Sequence, residues 1–321
     1  MSELRYDALS GRRVIVAAGR SDRPNTFPRP EAAPGTSPES CPFCPGHESM
    51  TPPEIARTGA GSAGEPGWRT RVFANLYPIV GGADPNGSTN GSTTGSTTGA
   101  TTGAHEVVVL SPDHGRSFGQ LDDAEAVEVL SVLRDRVRAH LDRGRPFACA
   151  FLNHGRGAGA SIAHPHGQVV ALDFVPPDVD ADVERFGRAH ADLVMDDASD
   201  GAPILGPTPV LAWAPRASTS PYLVRIAHPG REARFDTAPD DELAAVAVAL
   251  RDVLARVHDE LADPPYNVLV RSAPPGAEHF HWYLEIAPRV SLIAGFEQLT
   301  GLFVNIVPPE DAAGVLRDHQ P

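Results

Sequence analysis

Two long stretches of this chain carry apolar side chains at helical spacing, and each sits at the same place in a repeated order of elements. In Leu121–Leu141 the apolar positions are Val127, Leu130, Leu133, Val137 and Leu141. In Asp240–Leu261 they are Leu243, Val246, Leu250, Leu254, Val257 and Leu261. Residues three and four apart share one helix face, so each stretch predicts an amphipathic helix, the first opened by Asp122 or Asp123 as N-cap. Strand-like runs flank both. Arg69–Val80 and His105–Ser111 come before the first helix, and Pro146–Leu152 and a stretch rich in histidine come after it. Val210–Ala214 and Tyr222–Ile226 come before the second, and Asn267–Arg271 and His279–Ile286 come after it. Strand, strand, helix, strand, His-rich strand therefore occurs twice. That repeat predicts an α+β fold of two related halves, divided here as 1–182 and 183–321.

Other segments fit around this frame. Arg12–Val16 is predicted as a first strand, 173–182 as an acidic, proline-containing loop, and 183–200 as helical and polar. Residues 81–103 are a Gly, Ser and Thr tract that cannot bury a core and is expected to be a flexible insert.

Composition excludes several functions. The net charge is -14 over 321 residues, so broad nucleic-acid binding is disfavoured. The chain has no lysine, which rules out Schiff-base catalysis and a P-loop phosphate lysine. Arginine, with its planar fork of donors, is left to recognise phosphate. No apolar run reaches membrane-spanning length and the N-terminus has no signal core. Three cysteines, two of them in Cys41-Pro42-Phe43-Cys44, do not make a secreted disulfide framework. A cytoplasmic protein is expected.

The chemistry concentrates in Phe151–Ala171, FLNHGRGAGASIAHPHGQVVA. Gly155, Gly157 and Gly159 allow backbone to approach a ligand closely. His164, His166 and Gln168 alternate, so on an extended segment they leave the same face. Pro165 favours that geometry by pushing His164 out of the α region. Cys41 and Cys44 provide half of a tetrahedral metal site, and His114 with one histidine of the central motif would complete a closed Cys2His2 shell of the structural zinc type. The two central histidines cannot both be ligands if one attacks phosphorus. His166, beside Gly167 and Gln168, is the better nucleophile, with Gln168 donating to an oxygen where charge develops. Core histidines bonded to backbone carbonyls are the plainer alternative, and the glycine-rich context disfavours it.

Phe151–Ala171 resembles the active-site segment of galactose-1-phosphate uridylyltransferases, a branch of the histidine-triad superfamily, through Asn153, Gly155, Gly159, Ser161 and His164-Pro165-His166-Gly167-Gln168. The resemblance continues through Arg20-Ser21-Asp22-Arg23-Pro24, the two cysteines, Arg71-Val72-Phe73-Ala74-Asn75, Ser111-Pro112-Asp113-His114 and Gly295-Phe296-Glu297. It implies two histidine-triad-like halves, mainly antiparallel sheets with packed helices, often dimeric. It implies His166 as nucleophile, Gln168 and Ser161 on the transferred phosphate, and Zn2+ on Cys41, Cys44, His114 and His164. Asn75, Asn153, Gly159, Arg20, Arg23 and Glu297 are then substrate contacts. The implied reaction is uridylyl transfer between a nucleotide sugar and a sugar 1-phosphate, by ping-pong through uridylyl-histidine. Thr300–Asn305 is similar instead to a sister group that includes ADP-glucose phosphorylases, whose acceptor is inorganic phosphate. A non-catalytic, zinc-stabilised binding protein is the alternative from another class.

Overall fold

The computed structural model describes residues 2–20, 37–81, 102–205 and 209–319. Arg23 and nearly all of the 81–103 tract lie outside the described residues. In chain order the strands are β1 (Glu3–Tyr6), β2 (Arg13–Val16), β3 (Glu54–Gly59), β4 (Trp68–Ala74) and β5 (Gly103–Val109). Helix α1 (Asp123–Leu141), β6 (Phe147–His154), β7 (His166–Leu172), α2 (Pro177–Arg188) and α3 (Leu193–Asp200) follow. Then come β8 (Ala202–Pro203), β9 (Leu211–Ala214), β10 (Val224–Ala227), α4 (Asp240–Leu261), β11 (Tyr266–Arg271) and β12 (Tyr283–Pro288). The chain ends in α5 (Gly295–Thr300), β13 (Phe303–Asn305) and α6 (Pro309–Asp318).

One ten-stranded sheet dominates, in the order β3-β4-β5-β7-β6-β11-β12-β10-β9-β8, with all its pairs antiparallel. The repeat is visible in that order. β4-β5-β7-β6 on one side mirrors β9-β10-β12-β11 on the other, and β6 meets β11 at the centre with Asn153 opposite Asn267. The remaining strands form a small sheet, β1-β2-β13. Buried Arg225 ties the two sheets together by bonding both carboxylate oxygens of Asp7, just after β1 (2.7 and 3.0 Å).

Helices α1 and α4 pack against each other and cover one face of the large sheet. Leu130, Leu133 and Val137 from α1 and Leu250, Leu254 and Val257 from α4 join Val108, Leu152, Val169, Val268 and Leu284 in one core. Burying each such side chain stabilises the fold by about 1.5–3 kcal/mol. The N-cap of α1 is Asp122, which accepts from the Glu125 N–H while Glu125 accepts from the Asp122 N–H. Because side chains alternate along a strand, the odd-numbered residues of β5, β6, β11 and β12 and the even-numbered residues of β7 point the other way. That second face carries the chemistry.

Three expectations change. The segment expected to be a loop up to residue 182 becomes helical at Pro177, so the 182/183 boundary falls inside α2. A proline in the first turn lacks only an N–H that would have no partner there, and Asp178 and Asp180 complement the helix dipole. The polar helix expected over 183–200 is two helices, α2 and α3, broken around Ala189 and recapped by Asp192. Finally, β12 begins at Tyr283, so His279 and His281 precede the strand.

Under α1, Glu106 is almost fully buried between Arg136 (2.7 and 2.8 Å) and His140 (2.9 Å). Burial alone would raise its pKa, but the bonds from Arg136 and His140 outweigh it and bring it down to about 2. A carboxylate held below its unfolded value of about 4.3 adds stability that is complete above that value and is lost as pH falls toward the folded one. Glu106→Gln should therefore lose on the order of 2–3 kcal/mol at neutral pH. Its deficit against wild type should shrink between about pH 4 and pH 2 in paired acid-unfolding titrations. A deficit that stays constant through that window would refute the assignment.

Candidate active site

The cysteine turn, the end of β5 and the head of β7 meet on the open face. Cys44 N–H donates to the Cys41 carbonyl (3.3 Å), which closes the turn and sets both thiols on one side. Cys44 Sγ lies 3.3 Å from His114 Nδ1 and 3.5 Å from His164 Nδ1, and Cys41 Sγ lies 3.7 Å from His164 Nδ1. All four donor atoms fall within 4.8 Å of one another. A tetrahedral ion with bonds of about 2.0–2.3 Å holds its donors roughly 3.3–3.8 Å apart, so the cluster could hold a metal ion. His164 Nε2 donates to the Ser111 carbonyl (2.7 Å), which leaves Nδ1 with its lone pair facing the thiols. Burial drives the His164 pKa down to about 4, so the ring is neutral, as a ligand must be. Burial and the neighbouring Cys41 push the Cys44 thiol up to about 11, a cost that a cation between the thiols would reverse.

His166 stands two residues further on, opposite Val109 of β5. Its ring lies edge-on to Phe43, centroids 5.3 Å apart, so the cysteine turn forms one wall of its niche. Nδ1 donates to the His164 carbonyl (2.9 Å). That bond fixes the tautomer in which Nε2 carries the lone pair, and burial lowers the pKa and keeps the ring neutral. The glycine-rich loop passes alongside with Gly155 and Gly159 at φ of +74° and +94°, conformations that favour glycine. Asn153 accepts from Asn267 Nδ2 (2.7 Å), which also donates to the Ala158 carbonyl (2.9 Å). The Asn153 amide nitrogen is thus turned away from Asn267. Gln168 Oε1 lies 2.7 Å from His105 Nε2. Asn75 sits beside them, its Oδ1 accepting from the Tyr77 N–H (2.9 Å).

The structure thus brings together Cys41, Cys44, His114, His164, His166, Gln168, Asn75, Asn153 and Gly159. Ser161 is exposed on the segment leading into His164. Arg20 is exposed at the end of a short turn after β2, and the Glu297 carboxylate accepts from the Ala294 N–H to cap α5. Among the described residues, no hydrogen bond joins Arg20 or Glu297 to the cluster. His279 is exposed, whereas His281 is buried between Asp192 (2.9 Å) and the His228 carbonyl (2.8 Å). The matching face of the second half holds an ion network instead, with Arg225 bonded to Asp7, Asp197 and Glu285, and Arg271 to Glu285. His105 and Asn267 belong to the site by position. Neither lies in a motif, and only the strand register brings them there.

A repeated antiparallel sheet with a buried histidine bonded through Nδ1, an amide two residues on and a Cys2His2 cluster at its head fits a nucleotidyltransferase. Residues 1–176 match the family described as galactose-1-phosphate uridyl transferase, N-terminal domain. An ADP-glucose phosphorylase of Arabidopsis thaliana is 31% identical, covering 98% of this chain and 92% of that protein. A galactose-1-phosphate uridylyltransferase of Thermotoga maritima is 26% identical, covering 100% and 99%. The crystal structure of an ADP-glucose phosphorylase from Arabidopsis thaliana with bound ADP-glucose aligns at a TM-score of 0.85 and 30% identity, over 100% of this chain and 99% of that one. The chain belongs to the galactose-1-phosphate uridylyltransferase family. Among the described residues, no helix is long and apolar enough to cross a membrane.

Proposed function

We propose that the protein transfers a nucleoside monophosphate from a nucleotide sugar to a second phosphate by way of His166. The neutral Nε2 attacks the phosphorus that carries the nucleoside. The P–O bond to the sugar phosphate breaks, its electron pair leaves with sugar 1-phosphate, and NMP remains on Nε2 as a phosphoramidate. An oxygen of the acceptor phosphate then attacks the same phosphorus, the P–N bond breaks, and the imidazole regains its lone pair. Gln168 and Ser161 donate to the non-bridging oxygens of the transferred phosphate, with Gly159, Asn153 and Asn75 lining the nucleotide. The observation that carries this reading is the His166 tautomer, locked by the His164 carbonyl with Nε2 free. Zinc is the ion we assign to Cys41, Cys44, His114 and His164, because two thiolates and two imidazoles in a closed shell suit it. Bound there, it would hold the cysteine turn and Phe43 against His166 and take no part in the transfer.

Uridylyl transfer from UDP-glucose to galactose 1-phosphate is the reaction the family supports. A second reading, phosphorolysis of ADP-glucose by inorganic phosphate, is favoured by the 31% identity to the Arabidopsis thaliana phosphorylase. Arg20 and Arg23 are assigned to a substrate phosphate across a homodimer, and Glu297 to the substrate. The need for reduced Cys41 and Cys44 favours a cytoplasmic location.

Mixing the enzyme with UDP-glucose or ADP-glucose, without acceptor, tests the reading. One equivalent of sugar 1-phosphate should appear with one nucleotidyl adduct in the intact mass, and the productive donor names the base. Chasing the adduct with galactose 1-phosphate or with inorganic phosphate then names the acceptor. Absence of both burst and adduct with either donor would overturn the covalent mechanism for these substrates.

A further inference from the structure

We propose that His105 is a positioning residue that fixes which end of the Gln168 amide faces the transferred phosphate. The two side chains are diagonal neighbours on one sheet face. Gln168 pairs with Val107, and His105 lies two residues before Val107 on the adjacent strand. His105 is almost fully buried, and both of its ring nitrogens are engaged. The Ile79 N–H points at Nδ1 (3.2 Å), so Nδ1 is the acceptor and holds no proton. A neutral imidazole carries its single proton on the other nitrogen, so Nε2–H donates to Gln168 Oε1 at 2.7 Å. The carbonyl end of Gln168 is therefore tied back into the sheet. Its NH2 end, which alone can donate, is left for a phosphoryl oxygen.

The opposite amide orientation would set two donors against each other at the His105 ring and turn a carbonyl dipole toward the phosphate. Asn75 is held separately: its Oδ1 accepts from the Tyr77 N–H, and its amide nitrogen lies 3.2 Å from His105 Nε2, a longer contact than the 2.7 Å one to Gln168. His105 thereby sets the polarity of the Gln168 amide without touching substrate itself. The chain connects the turn after β4, through Ile79, to the catalytic amide on β7.

The proposal rests on Gln168 facing the phosphoryl group transferred to His166, and its test separates the two ideas. His105→Phe keeps a ring of similar size and removes the donor. The rate constant for adduct formation should fall by roughly tenfold to a hundredfold, with melting temperature and metal content unchanged. His105→Gln, which can still donate to Oε1, should recover most of that loss. In a Gln168→Ala background, His105→Phe should cost nothing further, because there is no amide left to orient. An equal loss in both backgrounds would overturn the proposal, since a purely structural role adds independently. A second measurement needs neither turnover nor a variant that folds. Nitrogen-15 NMR of the histidine rings in the wild-type protein should show His105 protonated at Nε2. Protonation at Nδ1 would overturn the proposal even if the adduct forms, whereas the expected tautomer without any adduct would sink the nucleophile reading and leave the Gln168 orientation standing.

Discussion

With His166 replaced by alanine, the protein should stay folded and keep the zinc proposed for the cluster, but nucleotidyl transfer should fall by about 10⁴-fold or more with no adduct in the intact mass. The expected loss is large because in the proposed mechanism the histidine is a covalent partner and not one donor among several. Without Nε2 the two-step path closes, and direct attack of one phosphate on another would have to cross a barrier the site does nothing to shape. The fold should tolerate the change. His166 sits at the first position of β7, and its one hydrogen bond runs to the carbonyl of His164, two residues away. The van der Waals contact with Phe43 is lost, at a cost of about 1–2 kcal/mol. The four cluster residues are untouched. Sugar 1-phosphate release and adduct mass, followed side by side, decide the matter. An adduct of wild-type stoichiometry on the His166→Ala protein would place the nucleophile elsewhere, and His164 would be the next residue to test.

How much of this was legible before any coordinates depends on where each signal lives. Helix α4 runs over Asp240–Leu261 as the spacing predicts, because its buried residues Leu243, Val246, Leu250, Leu254 and Val257 repeat along one face with no competing pattern. The cluster was legible because two thiols on one turn are rare enough to demand partners; the residues offered His114 and one histidine of the central motif, and the family resemblance pointed to His164. Helix α2 was not, because Pro176-Pro177 and the aspartates read as a loop unless the first-turn preference of proline is weighed against its rarity further in. His105 and Asn267 fail for a different reason. Each gains its role from a cross-strand neighbour far away in sequence, and β5 meets β7 only through a crossing that local pattern does not encode. The same holds for Arg225, an ordinary strand residue until Asp7 and Asp197 close around it. Local periodicity reports which face is buried, but a partner across the sheet depends on register.

Cys41→Ser should lose the proposed zinc and a large part of its thermal stability together. A serine hydroxyl is a poor ligand for zinc, and a three-ligand remnant binds far more weakly than a closed shell. The cluster is the junction of three segments with little else in common: the cysteine turn, the residues after β5, and the approach to β7. Cys41, Phe43 and Cys44 pack with Trp68, Phe73, Val107 and Val109 in a small core of their own, separate from the one beneath α1 and α4. That small core offers less apolar area to hold the turn once the ion is gone. Metal binding to a preformed site contributes directly to folding, and a loss of several kcal/mol corresponds to roughly a 5–15 °C fall in melting temperature. Transfer should fall as well, because the carbonyl that orients His166 belongs to His164, a member of the same four-residue cluster. Cys149→Ala supplies the control, since that thiol lies on β6 outside the cluster and its loss should leave metal content unchanged. The measurements are elemental analysis and a melting curve on the same preparations. Wild-type protein purified without stoichiometric zinc, or a Cys41→Ser protein that keeps both metal and melting temperature, would remove the ion from the account and leave an unexplained cluster of two thiols and two imidazoles.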